Sequence, residues 1–334
     1  MSDQEIVPPT TKEPVPASPP SSSNTIFRGP AGIRAGWRVL IFLALIAAEV
    51  IVVVIPFAVI AVLRGGRQPR PAFAISGITP LALSISEGAI FLFPAIAALI
   101  MAWIEHRKFG DYGLPPRSAF GKDFRIGVVV GFLAISGSLF AIFALHGFHL
   151  TGLAIQGSTI ASATAAWGAT FILVGLAEEF AFRGYLQFTL TTGMGFWPSA
   201  FVLSGLFGLA HLGNPGESTF GLFSVVLFGL LFCLFLSRTG NLWWAVGFHA
   251  GWDWGQTFFY GVSDSGIPPY HNLFNSSFNG PRWLTGGTVG PEASVCTPIV
   301  LAIVAVLFAR VYRERRYQVR AHMPDSGFQA ASAI

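Results

Sequence analysis

Two adjacent glutamates and an arginine stand in the middle of FILVGLAEEFAFRGYLQFTL, a stretch otherwise apolar enough to lie in a lipid bilayer. Ionisable side chains at membrane depth are costly, so they indicate function by default. Glu179 and Arg183 are four residues apart with the acid first, the favourable order for an ion pair on one helix face. Glu178 is rotated by about 100° from that face. The spacing predicts that Arg183 fixes Glu179 and leaves Glu178 for general acid/base chemistry. The alternative, a purely structural staple, does not explain the second carboxylate.

Two further groups follow at helical spacing. His211 comes four residues after Phe207 in LSGLFGLAHLGNP, and His249 comes four before Asp253 in NLWWAVGFHAGWDWGQ. A histidine and a carboxylate on one helix face either ligate a metal together or let the carboxylate set the tautomer of the imidazole. Taken singly, His211 is better explained as a hydrogen-bonded core histidine. The His249–Asp253 pair is explained equally well by structure and by chemistry.

Small residues surround all three groups and allow helices to approach closely. They are Gly175, Gly184, Gly205, Gly208, Gly247 and Gly251. One shared site accounts for every group at once, whereas separate structural roles must each hold independently, so we predict one site. Glu49 and Glu87 stand alone in their apolar segments and are interpreted as carboxylates that hydrogen-bond a neighbouring helix.

The composition tells which kind of fold must position these groups. Of the 334 residues, 53% are hydrophobic and 11% are charged, whereas a soluble domain carries about 25% charged residues. The chain is therefore predicted to be all-α, a polytopic membrane helix bundle with the site inside it. The net charge of +4 arises from basic residues that lie beside apolar runs. That pattern is typical of cytoplasmic loops, and it excludes a nucleic-acid partner.

Segments of roughly 20 apolar residues mark the candidate spans. About eight are predicted, at 37–63, 80–104, 125–147, 164–190, 196–213, 219–237, 242–258 and 296–312. The predicted organisation is a disordered tail at 1–35, N-terminal transmembrane helices at 36–150, a catalytic core at 160–258, a long polar loop at 259–295, a last transmembrane helix at 296–312 and a basic cytoplasmic tail at 313–334. The distribution of Lys and Arg places both termini in the cytoplasm, although Arg64, Arg67 and Arg70 disagree.

Three motifs stand in order on successive segments: EEFAFR fits Glu-Glu-xxx-Arg, FGLAH fits Phe-xxx-His, and HAGWD fits His-xxx-Asn/Asp. The sequence thereby resembles the CPBP family of intramembrane proteases, also called the CAAX prenyl protease or Abi family. The resemblance covers about residues 160–258. It implies that Glu178 activates water with help from His211, and that His249 and Asp253 stabilise the oxyanion or bind a metal. Glu179, Arg183 and Phe207 are implied to support them. Asp253 stands where the CAAX-processing enzymes have Asn, which leaves its role open.

Two mechanisms fit these residue types. In one, a divalent metal, zinc before others, is held by Glu178, His211 and His249 with an open position for substrate. In the other, Glu178 takes the proton from water and the histidines stabilise charge without metal. The chain has no His-Glu-x-x-His sequence, so a zincin site is excluded.

The predicted function is that of a bacterial intramembrane endopeptidase in the inner membrane, with a membrane-embedded or membrane-associated protein or peptide as substrate. The alternative is a non-catalytic scaffold or immunity factor of the same family that uses the polar groups to bind a partner. A proton-coupled transporter ranks behind both, because the chain shows no internal repeat.

Overall fold

The computed structural model describes residues 26–29, 32–63 and 79–318. The described residues before Ala35 form a minimal antiparallel hairpin, β1 (Arg28–Gly29) with β2 (Gly32–Ile33), inside the segment predicted to be a disordered tail. Most of that predicted tail lies outside the described residues, as do positions 64–78 and 319–334. The loop arginines at 64, 67 and 70 fall in one of these gaps.

Helices build the rest of the described chain. They are α1 (Ala35–Leu63), α2 (Pro80–Ile104), α3 (Lys122–Ala144), α4 (Ser158–Arg183), α5 (Tyr185–Met194), α6 (Phe196–Ala210), α7 (Thr219–Thr239), α8 (Trp243–Asp253), α9 (Arg282–Thr285) and α10 (Cys296–Val311). A π-helix, Trp254–Phe259, continues α8, and strands β3 (Phe148–Leu153) and β4 (Phe274–Phe278) pair with each other. The predicted all-α membrane bundle is confirmed.

Local sequence explains where several helices begin and end. The side chain of Thr79 accepts a hydrogen bond from the Ala82 amide at 3.2 Å, so it caps α2, whose first residue is a proline. Ser218 caps α7 in the same way, and Gly240 ends that helix in the left-handed conformation. The span predicted at 164–190 is longer in the structure, where the apolar helical segment runs over Ser158–Met194. Gly184 divides it into α4 and α5.

Six helical segments in the described part are long and apolar enough to cross a membrane, where the sequence predicted about eight. The predicted segments 242–258 and 296–312 form shorter helices, α8 and α10, of 11 and 16 residues. Every residue of α8 except His249 is buried. Its apolar sequence therefore reflects contact with neighbouring helices on all sides rather than contact with lipid.

Two Gly-xxx-Gly pairs fix α8 against α3. A Cβ at Gly131 would overlap the carbonyl oxygen of Phe248, and a Cβ at Gly251 would overlap that of Val128. Such small residues let two helix backbones touch. The close approach predicted for Gly247, Gly251, Gly175 and Gly208 is confirmed, but the prediction for Gly205 is wrong, because a Cβ there would meet nothing within 4 Å.

A buried polar cluster that the sequence analysis missed joins the N-terminal helices to α5. The Glu105 carboxylate, just past α2, accepts two hydrogen bonds from the Arg38 guanidinium of α1, one of them at 2.8 Å. It also accepts the hydroxyl hydrogens of Tyr112 at 3.0 Å and Tyr185 at 2.6 Å. Bidentate guanidinium pairs are strong and directional, so this cluster sets how α1, α2 and α5 meet.

The segment 259–295, predicted to be a long polar loop, has more structure than expected. β4 pairs antiparallel with β3, with Phe278 opposite Phe148, and α9 follows. A short 3₁₀ turn at Pro291–Ala293 leads into α10. This segment therefore folds back onto the bundle, and its side chains reach the site described below.

Candidate active site

The predicted pairing within Glu-Glu-xxx-Arg is confirmed. Glu179 Oε1 lies 3.5 Å from Arg183 Nη1, and both side chains are fully buried. The guanidinium carbon also lies 4.3 Å from the ring centroid of Phe207, a distance at which the ring face attracts a cation. None of the three guanidinium nitrogens has a hydrogen-bond partner among the described residues. Glu179 is therefore the principal counter-charge of Arg183.

Glu179 has a second contact that the spacing argument did not foresee. The same Oε1 atom lies 3.1 Å from Nδ1 of His249, on α8. A carboxylate at Nδ1 fixes the ring orientation and leaves Nε2 to act on other groups. The sequence offered Asp253 for that orienting role, with metal ligation as the alternative. In the structure Asp253 faces the other nitrogen, with Oδ2 at 3.5 Å from Nε2.

Glu178 lies on the Nε2 side of the same imidazole. Its Oε2 atom is 3.7 Å from His249 Nε2, and its side chain is 22% exposed, against 0% for Glu179. The two neighbouring glutamates thus bracket one histidine, Glu179 at Nδ1 and Glu178 at Nε2. Spacing on α4 distinguishes the two, and packing against α8 gives each its own nitrogen.

Phe207 contacts both His211 and Arg183. Its backbone carbonyl lies 2.8 Å from His211 Nδ1, and its ring packs edge-on against the His211 ring at 4.8 Å between centroids. Since Nδ1 is engaged by the carbonyl, Nε2 is the nitrogen of His211 that remains for chemistry. Together with its contact to Arg183, this makes Phe207 a support for both motifs.

A cavity of about 430 Å³ brings the motif residues together. Its wall includes Glu178, His211, His249 and Asp253, the four predicted catalytic residues. Aromatic side chains line much of the rest, namely Trp167, Phe171, Phe182, Phe207, Phe228, Phe232 and Trp252. The three sequence motifs therefore share one site, as their grouping predicted.

The two isolated glutamates behave differently from the interpretation given above. Glu87 lines the same cavity, is 7% exposed, and its Oε2 has no hydrogen-bond partner among the described residues. Neither carboxylate oxygen of Glu49 has such a partner there either. The hydrogen bond to a neighbouring helix is therefore missing for Glu49, and Glu87 belongs to the site.

The segment 259–295 adds two carboxylates that sequence reasoning missed. Asp264 Oδ2 accepts a hydrogen bond from the Thr257 hydroxyl at 3.0 Å. Glu292 Oε2 accepts from the backbone amide and the hydroxyl of Ser265, at 3.1 and 2.9 Å. The sequence feature that could have pointed to them is a single acid among Gly, Ser and Pro residues, in VSDSG and in GPEAS. Both stretches lie in a long connection, and long connections are often functional.

Burial governs the electrostatics of these two loop acids. Desolvation raises the pKa of Asp264 to about 6, even though the Thr257 hydrogen bond and the nearby His249 and His211 lower it. Desolvation, with the charge of Asp264, raises the pKa of Glu292 to about 8. Both carboxyl groups thus hold their protons more tightly than in water, because ionisation would place negative charges close together away from solvent.

The predicted zinc ligands do not converge. In the described part of the chain, Glu178, His211 and His249 do not form a group whose ligand atoms all lie within 4.8 Å of one another. Asp253, Asp264 and Glu292 do form such a group. The donor set that is gathered tightly is thus made of oxygen only, whereas zinc prefers nitrogen and sulfur.

Comparison with known families identifies the central part of the chain. Residues 160–255 match the family model described as Type II CAAX prenyl endopeptidase Rce1-like. The match covers 96 of the 334 residues, so the likeness is that of this central region. The matched region reaches from α4 into the π-helix and includes all four predicted catalytic residues, whereas Asp264 and Glu292 lie beyond it. No curated protein matches the chain. An Rce1-like domain in a multi-pass helical protein supports a CAAX-type intramembrane endopeptidase.

Proposed function

We propose that the chain is an intramembrane endopeptidase in which Glu178 activates the attacking water. The observation that carries the proposal is the order Arg183, Glu179, His249, Glu178 across α4 and α8. In it, a buried ion pair anchors the histidine through Nδ1, and Nε2 faces the candidate base. A fixed imidazole beside a less buried carboxylate suits general acid/base catalysis of peptide hydrolysis.

The proposed reaction assigns a proton to each group. Glu178 takes a proton from a cavity water, whose oxygen attacks the scissile carbonyl carbon. The oxyanion that forms accepts a hydrogen bond from His249 Nε2–H in the protonated ring, and His211 is part of the same cavity wall. Glu178 then returns its proton to the amine as the C–N bond breaks. These steps use only side chains of the chain itself and a cavity water.

Asp253 has a supporting role in this proposal. Its Oδ2 lies 3.5 Å from His249 Nε2, on the side of the ring where the oxyanion forms. An ionised carboxylate there stabilises the protonated imidazole but repels the developing oxyanion. We therefore assign Asp253 to the charge state of His249 rather than to direct contact with the substrate.

The proposed location is the inner membrane of a bacterium, with both termini in the cytoplasm. Hydrogen bonds gather one end of the bundle: the Leu242 amide donates to the Gly113 carbonyl, and the Arg316 amide donates to the Ser237 carbonyl. Basic residues are concentrated in these segments, namely Arg107, Lys108, Arg117, Lys122, Arg125, Arg238, Arg313, Arg315 and Arg316. This supports a cytoplasmic assignment for that end. The proposed substrate is a membrane-embedded or membrane-associated protein.

The test compares membrane proteomes from cells expressing the wild type, Glu178→Gln and Glu314→Gln. Glu314 is a matched control, since the same charge is removed from a carboxylate that is 80% exposed. We expect cleavage products with wild type and Glu314→Gln that are missing with Glu178→Gln at equal protein abundance. Identical products with Glu178→Gln would show that the carboxylate is not the base. A phenotype rescued by Glu178→Gln would favour the scaffold alternative.

A further inference from the structure

We propose that Asp253, Asp264 and Glu292 form a binding site for a hard divalent cation, Ca²⁺, Mg²⁺ or Mn²⁺, beside the candidate catalytic histidine. The three come from different elements: the last residue of α8, the connection after the π-helix, and the 3₁₀ turn before α10. Each offers one oxygen, and these oxygens all lie within 4.8 Å of one another. Ligand oxygens that share a calcium ion at about 2.4 Å are no farther apart than about 4.8 Å.

The hydrogen bonds around the three carboxylates hold two of them in place. Thr257 donates to Asp264, and Ser265 donates twice to Glu292, so both acids are oriented by neighbours. Ligating carboxylates in metal sites are fixed in this way by surrounding donors. Each carboxylate keeps its second oxygen, and lone pairs on the first, for a ligand.

A fourth acid, separate from the group, points to a positively charged occupant of the same cavity. Glu87 lies on α2, and only 7% of its surface is exposed. Its Oε2 atom has no hydrogen-bond partner among the described residues. A buried polar atom without a partner costs free energy. Among the described residues, the cavity wall holds five carboxyl groups, those of Glu87, Glu178, Asp253, Asp264 and Glu292, and two side chains able to carry positive charge, His211 and His249. A bound divalent cation would offset the negative charge that these acids acquire when they ionise.

The chemistry of the donors selects the ion. Carboxylate oxygens suit Ca²⁺, Mg²⁺ and Mn²⁺, whereas zinc is held by nitrogen and sulfur in most protein sites. Bound at this group, the ion would join α8 to both ends of the segment 259–295. It would also bind Asp253, the carboxylate that contacts His249 Nε2. Binding of the ion would therefore change the electrostatic environment of the His249 imidazole. The site is independent of the protease proposal, since binding is measured without any substrate.

Binding of Mn²⁺ to the full-length protein in detergent, followed by electron paramagnetic resonance, tests the proposal. We expect one Mn²⁺ per chain, displaced by Ca²⁺ or Mg²⁺, and affinity weakened by about tenfold or more in Asp264→Asn and in Glu292→Gln. Both amides retain an oxygen that accepts the existing hydrogen bonds, and thermal unfolding without metal checks that each variant is folded. Glu314→Gln is the matched control and should bind as the wild type does.

Three results would overturn the proposal. The first is an absence of stoichiometric binding at millimolar Mn²⁺. The second is binding that the folded Asp264→Asn and Glu292→Gln variants retain, which would indicate adventitious surface carboxylates. The third is binding that is lost in His211→Ala but kept in Glu292→Gln, which would place the ion at the alternative set of Glu178, His211 and His249.

Discussion

Replacing Glu179 by alanine should destabilise the protein far more than replacing Glu178, its neighbour in sequence. Glu179 Oε1 contacts both Arg183 and His249, and the side chains of Glu179 and Arg183 are fully buried. In the variant, the guanidinium keeps its charge but loses its principal counter-charge. Removing one partner of a buried ion pair costs about 3–5 kcal/mol, because the other charge is left uncompensated.

Glu178→Ala is the matched control on the same turn of α4. The Glu178 side chain is 22% exposed to the cavity, and its nearest charged contact is 3.7 Å away. Its removal should abolish cleavage while changing the free energy of unfolding by less than about 1 kcal/mol. Unfolding in detergent micelles can be followed by the fluorescence of the nine tryptophans.

A double variant separates the ion pair from other effects of Glu179. Arg183→Met in the Glu179→Ala background removes the stranded charge and keeps an apolar side chain of similar length, so we expect it to recover a measurable part of the lost stability. The reasoning is refuted if Glu179→Ala and Glu178→Ala unfold at the same denaturant concentration, or if Arg183→Met only adds to the loss.

Three further outcomes follow from the packing. Gly131→Ala should lower the free energy of unfolding by about 1–3 kcal/mol because its Cβ overlaps the Phe248 carbonyl, whereas Gly137→Ala on the same helix, with its nearest contacts at 3.9 Å, should be tolerated. Phe207→Leu should lower the free energy of unfolding by about 1–2 kcal/mol, because the contact between its ring and Arg183 is lost. It should also reduce the cleavage rate, because Phe207 positions His211. The control is Phe201→Leu at an exposed position of α6, which should change neither quantity. Glu105→Gln should lower the unfolding temperature, since the buried charge of Arg38 loses its partner, while folded protein keeps its cleavage rate because Glu105 is not part of the cavity wall. Equal unfolding temperatures for Glu105→Gln and wild type would contradict the role given to that cluster.

Sequence spacing predicted the contacts that lie within one helix. Glu179 with Arg183 and Phe207 with His211 are four residues apart, and helix geometry alone brings such pairs together. The contact of Glu179 with His249 joins residues 70 positions apart and depends on how α4 packs against α8. No one-dimensional pattern carries that information, so the sequence offered Asp253 and not Glu179 as the carboxylate that orients His249.

The environment of segment 242–258 and the extent of the site were misjudged for related reasons. Hydropathy cannot distinguish a helix that faces lipid from one enclosed by protein, so α8 was counted as a span. Asp264 and Glu292 lie in a Gly-rich connection with neither the period of a helix nor that of a strand. Their place in the cavity follows from the pairing of β3 with β4 and from the return of the chain into α10, both of which are long-range.

The burial of α8 has a consequence for how the protein is made. The helix carries His249 and Asp253, and every one of its residues except His249 is buried by protein. Its contacts form only when it packs against the glycines of α3 and α4, two helices that precede it in the chain. Glu178 therefore meets His249 only after about three quarters of the 334 residues have been translated. Under the proposed mechanism, a chain truncated before α8 would lack both His249 and Asp253 and should not hydrolyse substrate.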